Sequence, residues 1–219
     1  MLVYENGSIS GTIGGGALEK IVIEQALEQM FSTEGVIVKH NLVNELAMCC
    51  GGSVDLFLEP IMNRFKLYIF GAGHIGKSLT KFASDLDFNI TLIDERIDAF
   101  DSMKDLEFEA VQKHHIQAID ELSFDSNTCV VILTHDHAHD REILALTSKK
   151  KHAYIGMVGS ARKVEIAKKA LLANNLMNLA ELEQINMPIG TEIKTVTPEE
   201  IAISILAKLI DARNLSRKN

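Results

Sequence analysis

The stretch LYIFGAGHIGKSL spaces Gly71, Gly73 and Gly76 as G-x-G-x-x-G, after a β-branched run and at the start of a helical pattern. That spacing suits a diphosphate. Gly71 permits a tight turn, Gly73 lets the backbone approach the phosphate, and Gly76 lets helix and strand pack closely. The N-terminus of the helix then offers N–H groups to an anion. Asp94 ends the next strand, NITLID, where a carboxylate can accept hydrogen bonds from ribose hydroxyls. His74 lies inside the turn on its ligand side and is a candidate phosphate contact, with a surface or capping role as the alternative.

Two further loops carry polar chemistry after apolar runs. In THDHAHDRE, which follows CVVIL, His135 and Asp136 are candidate hydrogen-bonding groups at the carboxyl edge of a sheet, where ligands of open α/β sheets bind. Asp140 enters the next helix near its positive end, and His137 and His139 are left to solvent. Alternating histidines in one loop do not aim three rings at a common point, so this loop is not expected to be a metal site by itself. After AYIGMV, Gly159 and Ser160 precede Arg162 and Lys163, a glycine and a capping hydroxyl beside positive charge. An ordinary capped helix with exposed basic residues is the plainer reading of the same residues.

Three cysteines is an odd number, and a disulfide between the adjacent Cys49 and Cys50 would close a strained ring. Free thiols in a reducing compartment fit better. Cys129 opens CVVIL and reads as a small core residue. Cys49 and Cys50 precede Gly51 and Gly52, where the backbone can turn sharply. A thiolate there could be a soft metal ligand, a nucleophile or a structural group.

These groups need elements to hold them. From Arg64 onward, short strands (LYIF, ITLI, CVVIL, AYIGMV) alternate with helical stretches at 74–86, 138–149 and 160–173, the pattern of a parallel sheet covered on both faces. A mixed region separates LID from CVVIL. Thr197, Pro198, Glu199 and Glu200 begin a terminal helix in the manner of a capped N-terminus. Residues 1–62 form a smaller α+β domain with a helix over 17–31 and strands at 36–38 and 54–58, and residues 63–219 a Rossmann-like α/β domain. The cysteine pair falls in the connection between the two small strands, and a domain of that size is marginal alone.

Composition narrows the function classes. The 219 residues are 47% hydrophobic and 24% charged, which excludes disorder. Twenty-two basic residues against 30 acidic ones give a formal charge of -8, the wrong sign for a nucleic-acid polymer as partner. No apolar run approaches the ~20 residues of a membrane span, and MLVYENGSIS has neither a basic nor an apolar leader region. A cytoplasmic protein is expected.

Taken together, Gly11 through Glu19 (GTIGGGALE), CCGG at 49–52, FGAGHIGKSL, LIDER, THDHAHD, YIGMVGSARK and TPEEIAISILA resemble the XdhC/CoxI family, accessory proteins of molybdenum hydroxylases such as xanthine dehydrogenase. The resemblance implies a small N-terminal domain, a C-terminal Rossmann domain and assembly as a homodimer. It also implies binding of the molybdenum cofactor, a molybdopterin with a phosphate, during sulfuration by a cysteine desulfurase and delivery to an apo molybdenum hydroxylase. Such a chaperone performs no net reaction of its own. Cys50 matches the family's C-G-G thiol and is the implied molybdenum ligand, with Cys49 the weaker candidate. The chain departs from the family at Ala17, where many relatives carry a cysteine, and at Lys208, where relatives often carry an acid. Relatives generally have a segment before MLVYENG, so the small sheet is expected to be incomplete or completed by oligomerisation. The alternative from the glycine motif and Asp94 alone is an NAD(P)-dependent oxidoreductase, although no Tyr-x-x-x-Lys pair accompanies them. A scaffold with a vestigial pocket is a third reading.

Overall fold

Residues 1–30, 32, 34–42, 52–61 and 64–216 are described by the structure, a computed structural model. The chain divides into two units, Met1–Asn63 and Arg64–Asn219.

In the first unit, β1 (Leu2–Val3) and β2 (Ile9–Ser10) form a short antiparallel pair ahead of α1 (Gly16–Gln29). The expected helical period is present, but only Leu18 and Val22 of that helix are fully buried. They pack against Ile13, Val54, Leu56 and Leu58. The helix start is organised by Glu19, whose carboxylate accepts from the Thr12 hydroxyl and, at 3.0 Å each, from the Ile13 and Gly15 N–H groups. The Thr12 hydroxyl, followed by those N–H groups, holds the Glu19 carboxyl below its ordinary pKa. β3 (Val36–Asn41) and β4 (Ser53–Leu58) pair antiparallel over their full lengths, with Ile37 opposite Phe57 and Lys39 opposite Asp55. Gly52, at φ +94°, turns the chain into β4, and its carbonyl accepts from Leu42 N–H at 3.0 Å. Cys49, Cys50 and Gly51 lie outside the described residues.

The second unit is a Rossmann-type α/β fold. β5 (Phe65–Phe70), β6 (Phe88–Ile93), β7 (Glu109–Val111), β8 (Thr128–Ile132) and β9 (Tyr154–Met157) form one parallel sheet in the order β7-β6-β5-β8-β9. The central strands read as continuous apolar runs because helices cover both of their faces. α2 (His74–Ala83) and the terminal α7 (Pro198–Ser216) cover one face through Leu79, Ala83, Ala202, Ile205 and Leu209. The other face is covered by α3 (His115–Glu121), α4 (His137–Thr147) and α5 (Ala161–Ala173), with Ile119, Ile143, Leu144 and Leu171 in its core. A short α6 (Leu179–Glu183) follows α5.

The region read from sequence as mixed contains β7 and α3. β7 has only three residues and leaves two of them exposed, so it offers no apolar run. α3 has seven residues, too few for a clear helical period. The start of α7 follows its expected chemistry, with Glu200 N–H donating to Thr197 Oγ1 at 3.3 Å and Thr197 N–H donating to Glu200 Oε2 at 3.1 Å. Among the described residues, no helix is long and apolar enough to cross a membrane.

Cys129 sits in β8 with no exposed surface, and burial pushes its thiol up to about 12. The thiolate, not the thiol, reacts with alkylating agents. Brief iodoacetamide treatment of the folded protein at pH 8 is therefore expected to leave Cys129 unmodified, whereas treatment in denaturant labels it, as read by peptide mass spectrometry. Labelling of the folded protein at the rate of an exposed thiol would contradict this placement.

Candidate functional site

In a parallel sheet ordered β7-β6-β5-β8-β9, the chain winds one way from β5 to β7 and the other way from β8 to β9. The crevice between the carboxyl ends of β5 and β8 is the topological switch point. Gly71 lies there at φ +112°, and a Cβ at that position would meet the Leu133 carbonyl oxygen at 2.5 Å. A Cβ at Gly76 would run into the Gly71 carbonyl oxygen. Both glycines thus allow backbone to pack on backbone. Gly73 is different. It caps α2 in extended conformation with no side-chain cap, and a Cβ there would meet nothing within 4 Å. The space above Gly73 and the N-terminus of α2 is open to a ligand. His74, the first residue of α2, is exposed beside it.

Asp94 ties the turn to β6. Its Oδ2 accepts from Ala72 N–H at 2.8 Å and from Arg96 Nη2 at 2.7 Å, while Oδ1 accepts from Arg96 Nε at 2.9 Å and Arg96 N–H at 3.1 Å. Burial acts to raise the Asp94 carboxyl, but the Arg96 guanidinium and the two backbone donors outweigh it and hold the group below its ordinary value. A carboxylate has about four acceptor sites, and here they are filled from within the protein. A ribose hydroxyl would have to displace Arg96 to reach them.

The turn after β8 forms the opposite wall. Asp140, buried in the first turn of α4, accepts from Thr134 N–H at 3.1 Å and lies 2.6 Å from Thr134 Oγ1 and 3.2 Å from His137 Nδ1. Asp136 caps α4 by accepting from Ala138 N–H at 2.7 Å, and that bond, with lesser help from the neighbouring imidazoles, lowers its pKa. His135 is exposed on the same turn and lines the pocket at the switch point together with Asp94, Thr134 and Gly71. His139 is not left to solvent. It is half-buried against His114 and His115 at the start of α3, with ring centroids 5.5 and 4.6 Å away. His115 and His139 line the same pocket. Burial is the main cause that lowers the pKa of His115, opposed by its bond to Glu142.

Gly159 and Ser160 follow β9 on the same sheet edge. Ser160 Oγ accepts from Lys163 N–H at 3.4 Å as the cap of α5, and a Cβ at Gly159 would make only ordinary contacts. Neither residue is among those lining the switch-point pocket. His114, His115 and Glu142 lie outside the glycine, cysteine and THDHAHD motifs. The adjacent histidines before a short helix, in QKHHIQAI, were the available signal.

The family model for the XdhC Rossmann domain matches residues 67–209, and that for the XdhC and CoxI family matches residues 1–40. The uncharacterized protein YqeB of Escherichia coli is 29% identical over 222 aligned residues, which cover 98% of this chain and 40% of that protein. A probable xanthine dehydrogenase subunit of Bacillus subtilis is 27% identical over 162 residues, which cover 74% of this chain and 47% of that protein. The chain thus spans less than half the length of these two curated relatives. A crystal structure described as a xanthine dehydrogenase from Bacillus halodurans superposes with a TM-score of 0.59 at 21% identity, covering 97% of this chain and 85% of that one. At this identity the likeness is one of fold.

Two outcomes follow from the geometry. Gly71→Ala is expected to destabilise the Rossmann unit by about 2–4 kcal/mol through strain and backbone clash, while Gly73→Ala changes its stability by less than about 1 kcal/mol. Urea unfolding checks both, and equal losses would contradict the distinction. Asp94→Asn is expected to cost about 1–3 kcal/mol at pH 7 by losing charge-assisted bonds. Because the folded pKa of Asp94 is depressed, its stabilisation is present above the unfolded pKa of about 3.9 and is lost as pH falls through the folded value. The gap between wild type and Asp94→Asn therefore narrows in unfolding curves taken below about pH 4.

Proposed function

The chain belongs to the XdhC and CoxI family, and from that membership we propose that it is a molybdenum-cofactor-binding accessory protein of a xanthine dehydrogenase-type hydroxylase. In this reading it holds the cofactor while a cysteine desulfurase sulfurates it, then passes it to the apo-hydroxylase, and it works as a homodimer. The observation that carries the reading is the family match along residues 67–209, joined by a second match at 1–40. The name of the Bacillus subtilis relative, which refers to xanthine dehydrogenase, supports the same partner class.

In this reading the phosphorylated group rests on the Rossmann unit. The clear space over Gly73 and the N-terminus of α2, with no side chain capping it, fits a phosphate such as the one on molybdopterin. Gly71 and Gly76 shape that turn, and the exposed His74 stands beside it as a further donor. His135 supplies a polar group across the crevice, Asp136 beside it caps α4, and Gly159 with Ser160 offers another helix start on the same edge. When bound, the cofactor supplies molybdenum for the sulfido chemistry. The chain supplies thiols, and Cys50, with Cys49 next to it, is the soft ligand assigned to the metal in this reading. The NAD(P) alternative has less support, because the acid that would receive the ribose is already saturated by Arg96 and Ala72.

The full chain, purified anaerobically from a host that makes the cofactor, is expected to carry molybdenum and a pterin that becomes fluorescent on oxidation. Both should fall several-fold in Cys50→Ser and in Gly73→Asp, with folding unchanged by circular dichroism. Preparations that repeatedly lack metal and pterin would overturn the proposal, and micromolar binding of NAD without pterin would favour the oxidoreductase.

A further inference from the structure

The second unit gathers three imidazoles at the junction of α3 and α4. His114 caps α3, His115 is its first residue, and His139 lies in the first turn of α4. One ring nitrogen from each falls within 4.8 Å of the other two. The ring centroids of His114 and His115 are 4.1 Å apart, and those of His115 and His139 4.6 Å. Among the described residues, this is the group of metal-ligating side chains close enough to share an ion.

A second observation concerns orientation. His115 is 7% exposed, and its Nε2 lies 2.8 Å from Glu142 Oε2. A carboxylate accepts, so in the neutral ring that nitrogen carries the proton and Nδ1 keeps its lone pair. This is how proteins prepare a histidine for a metal, since the carboxylate fixes both tautomer and ring plane. The neighbouring Lys113, which lines the same pocket, is paired with Glu121 at 2.5 Å.

We propose that His114, His115 and His139 bind one zinc-class divalent ion, with Glu142 as the positioning residue that holds His115 toward it. Zn–N bonds of about 2.0–2.1 Å place the nitrogens of a tetrahedral site about 3.3 Å apart. The present cluster must therefore close by up to about 1.5 Å from its 4.8 Å spread. His114 and His139 are only partly buried, so their side chains have room to turn. Three imidazoles leave a fourth position for water or a ligand. Because His115 and His139 also line the switch-point pocket, a molecule bound there could reach the ion. The site uses none of the thiols and stands whether or not the protein carries a molybdenum cofactor.

The test titrates the metal-free full chain with Zn²⁺ alone against a chromophoric chelator, and with Co²⁺ to read coordination by visible absorption. One equivalent per chain is expected, with tetrahedral-type cobalt bands. Affinity should fall at least tenfold in His114→Ala and in His139→Ala, and about 10–100-fold in Glu142→Gln, each variant being checked for native circular dichroism. His115 is buried, so replacing it would disturb folding as well as binding, and the other two histidines carry the test. A double Cys49→Ser, Cys50→Ser variant should bind zinc as the wild type does. Absence of a zinc equivalent in the wild type, binding that survives His114→Ala combined with His139→Ala, or binding that disappears with the cysteines would each overturn the proposal. None of these readouts involves molybdenum or pterin, so they report on this site independently of the cofactor reading.

Discussion

The close approach of backbone to backbone at the carboxyl ends of β5 and β8 is the constraint on which the larger unit depends. Gly71 packs on Leu133 and Gly76 packs on the Gly71 carbonyl, so any side chain at either position would separate strand, helix and neighbouring turn. Backbone hydrogen bonds cross the same point, with Gly71 N–H donating to the Ile93 carbonyl at 2.8 Å and Leu133 N–H donating to the Phe70 carbonyl at 2.8 Å. Asp94 adds the third side through Ala72. Three strands thereby converge with fixed spacing, and the crevice between the outward-winding halves takes its shape from them.

That constraint assigns different work to residues that look alike in the sequence. The glycines of G-x-G-x-x-G divide into two that the fold itself requires and one, Gly73, whose missing side chain leaves only open space. Acidic residues divide in the same way. Asp140 is buried to organise the turn after β8, and Asp136 caps the helix from the surface. Asp94 has the position of a ribose acceptor, yet its lone pairs are committed to Arg96 and Ala72. A motif specifies where a group stands, whereas the remaining capacity of that group depends on neighbours that the motif does not name.

Legibility in the sequence followed the range of the interactions. The parallel sheet could be read because each central strand is a contiguous apolar run, and the glycine turn because its spacing is local. The cap at Thr197, Pro198 and Glu200 was readable for the same reason. β7 and α3 were not, since a three-residue edge strand and a seven-residue helix leave too little pattern. The histidine cluster was missed with them. His114 and His115 follow β7 whereas His139 follows β8, and only the passage of the chain across the sheet from edge strand β7 to β8 brings α3 beside α4 on one face. Alternation in THDHAHD says nothing of this grouping, because the partners of His139 are set by helix packing and not by its nearest histidine in the chain.

The fold's tolerance also separates the two chemistries on this edge. At Gly71 and Gly76 a change of side chain is a change of structure, so those positions report the architecture and say little about the ligand. At Gly73, His114 and His139 the surroundings accept alternatives, the first because its Cβ direction is empty and the others because their rings are only partly buried. A residue whose identity the scaffold does not dictate is chosen by something else, and open space beside a helix start, or a group of three imidazoles of which one is held by Glu142, is a feature that packing alone has no need to make. Specific chemistry in this molecule is therefore sought where the structure permits substitution, on a crevice whose existence depends on the positions that do not.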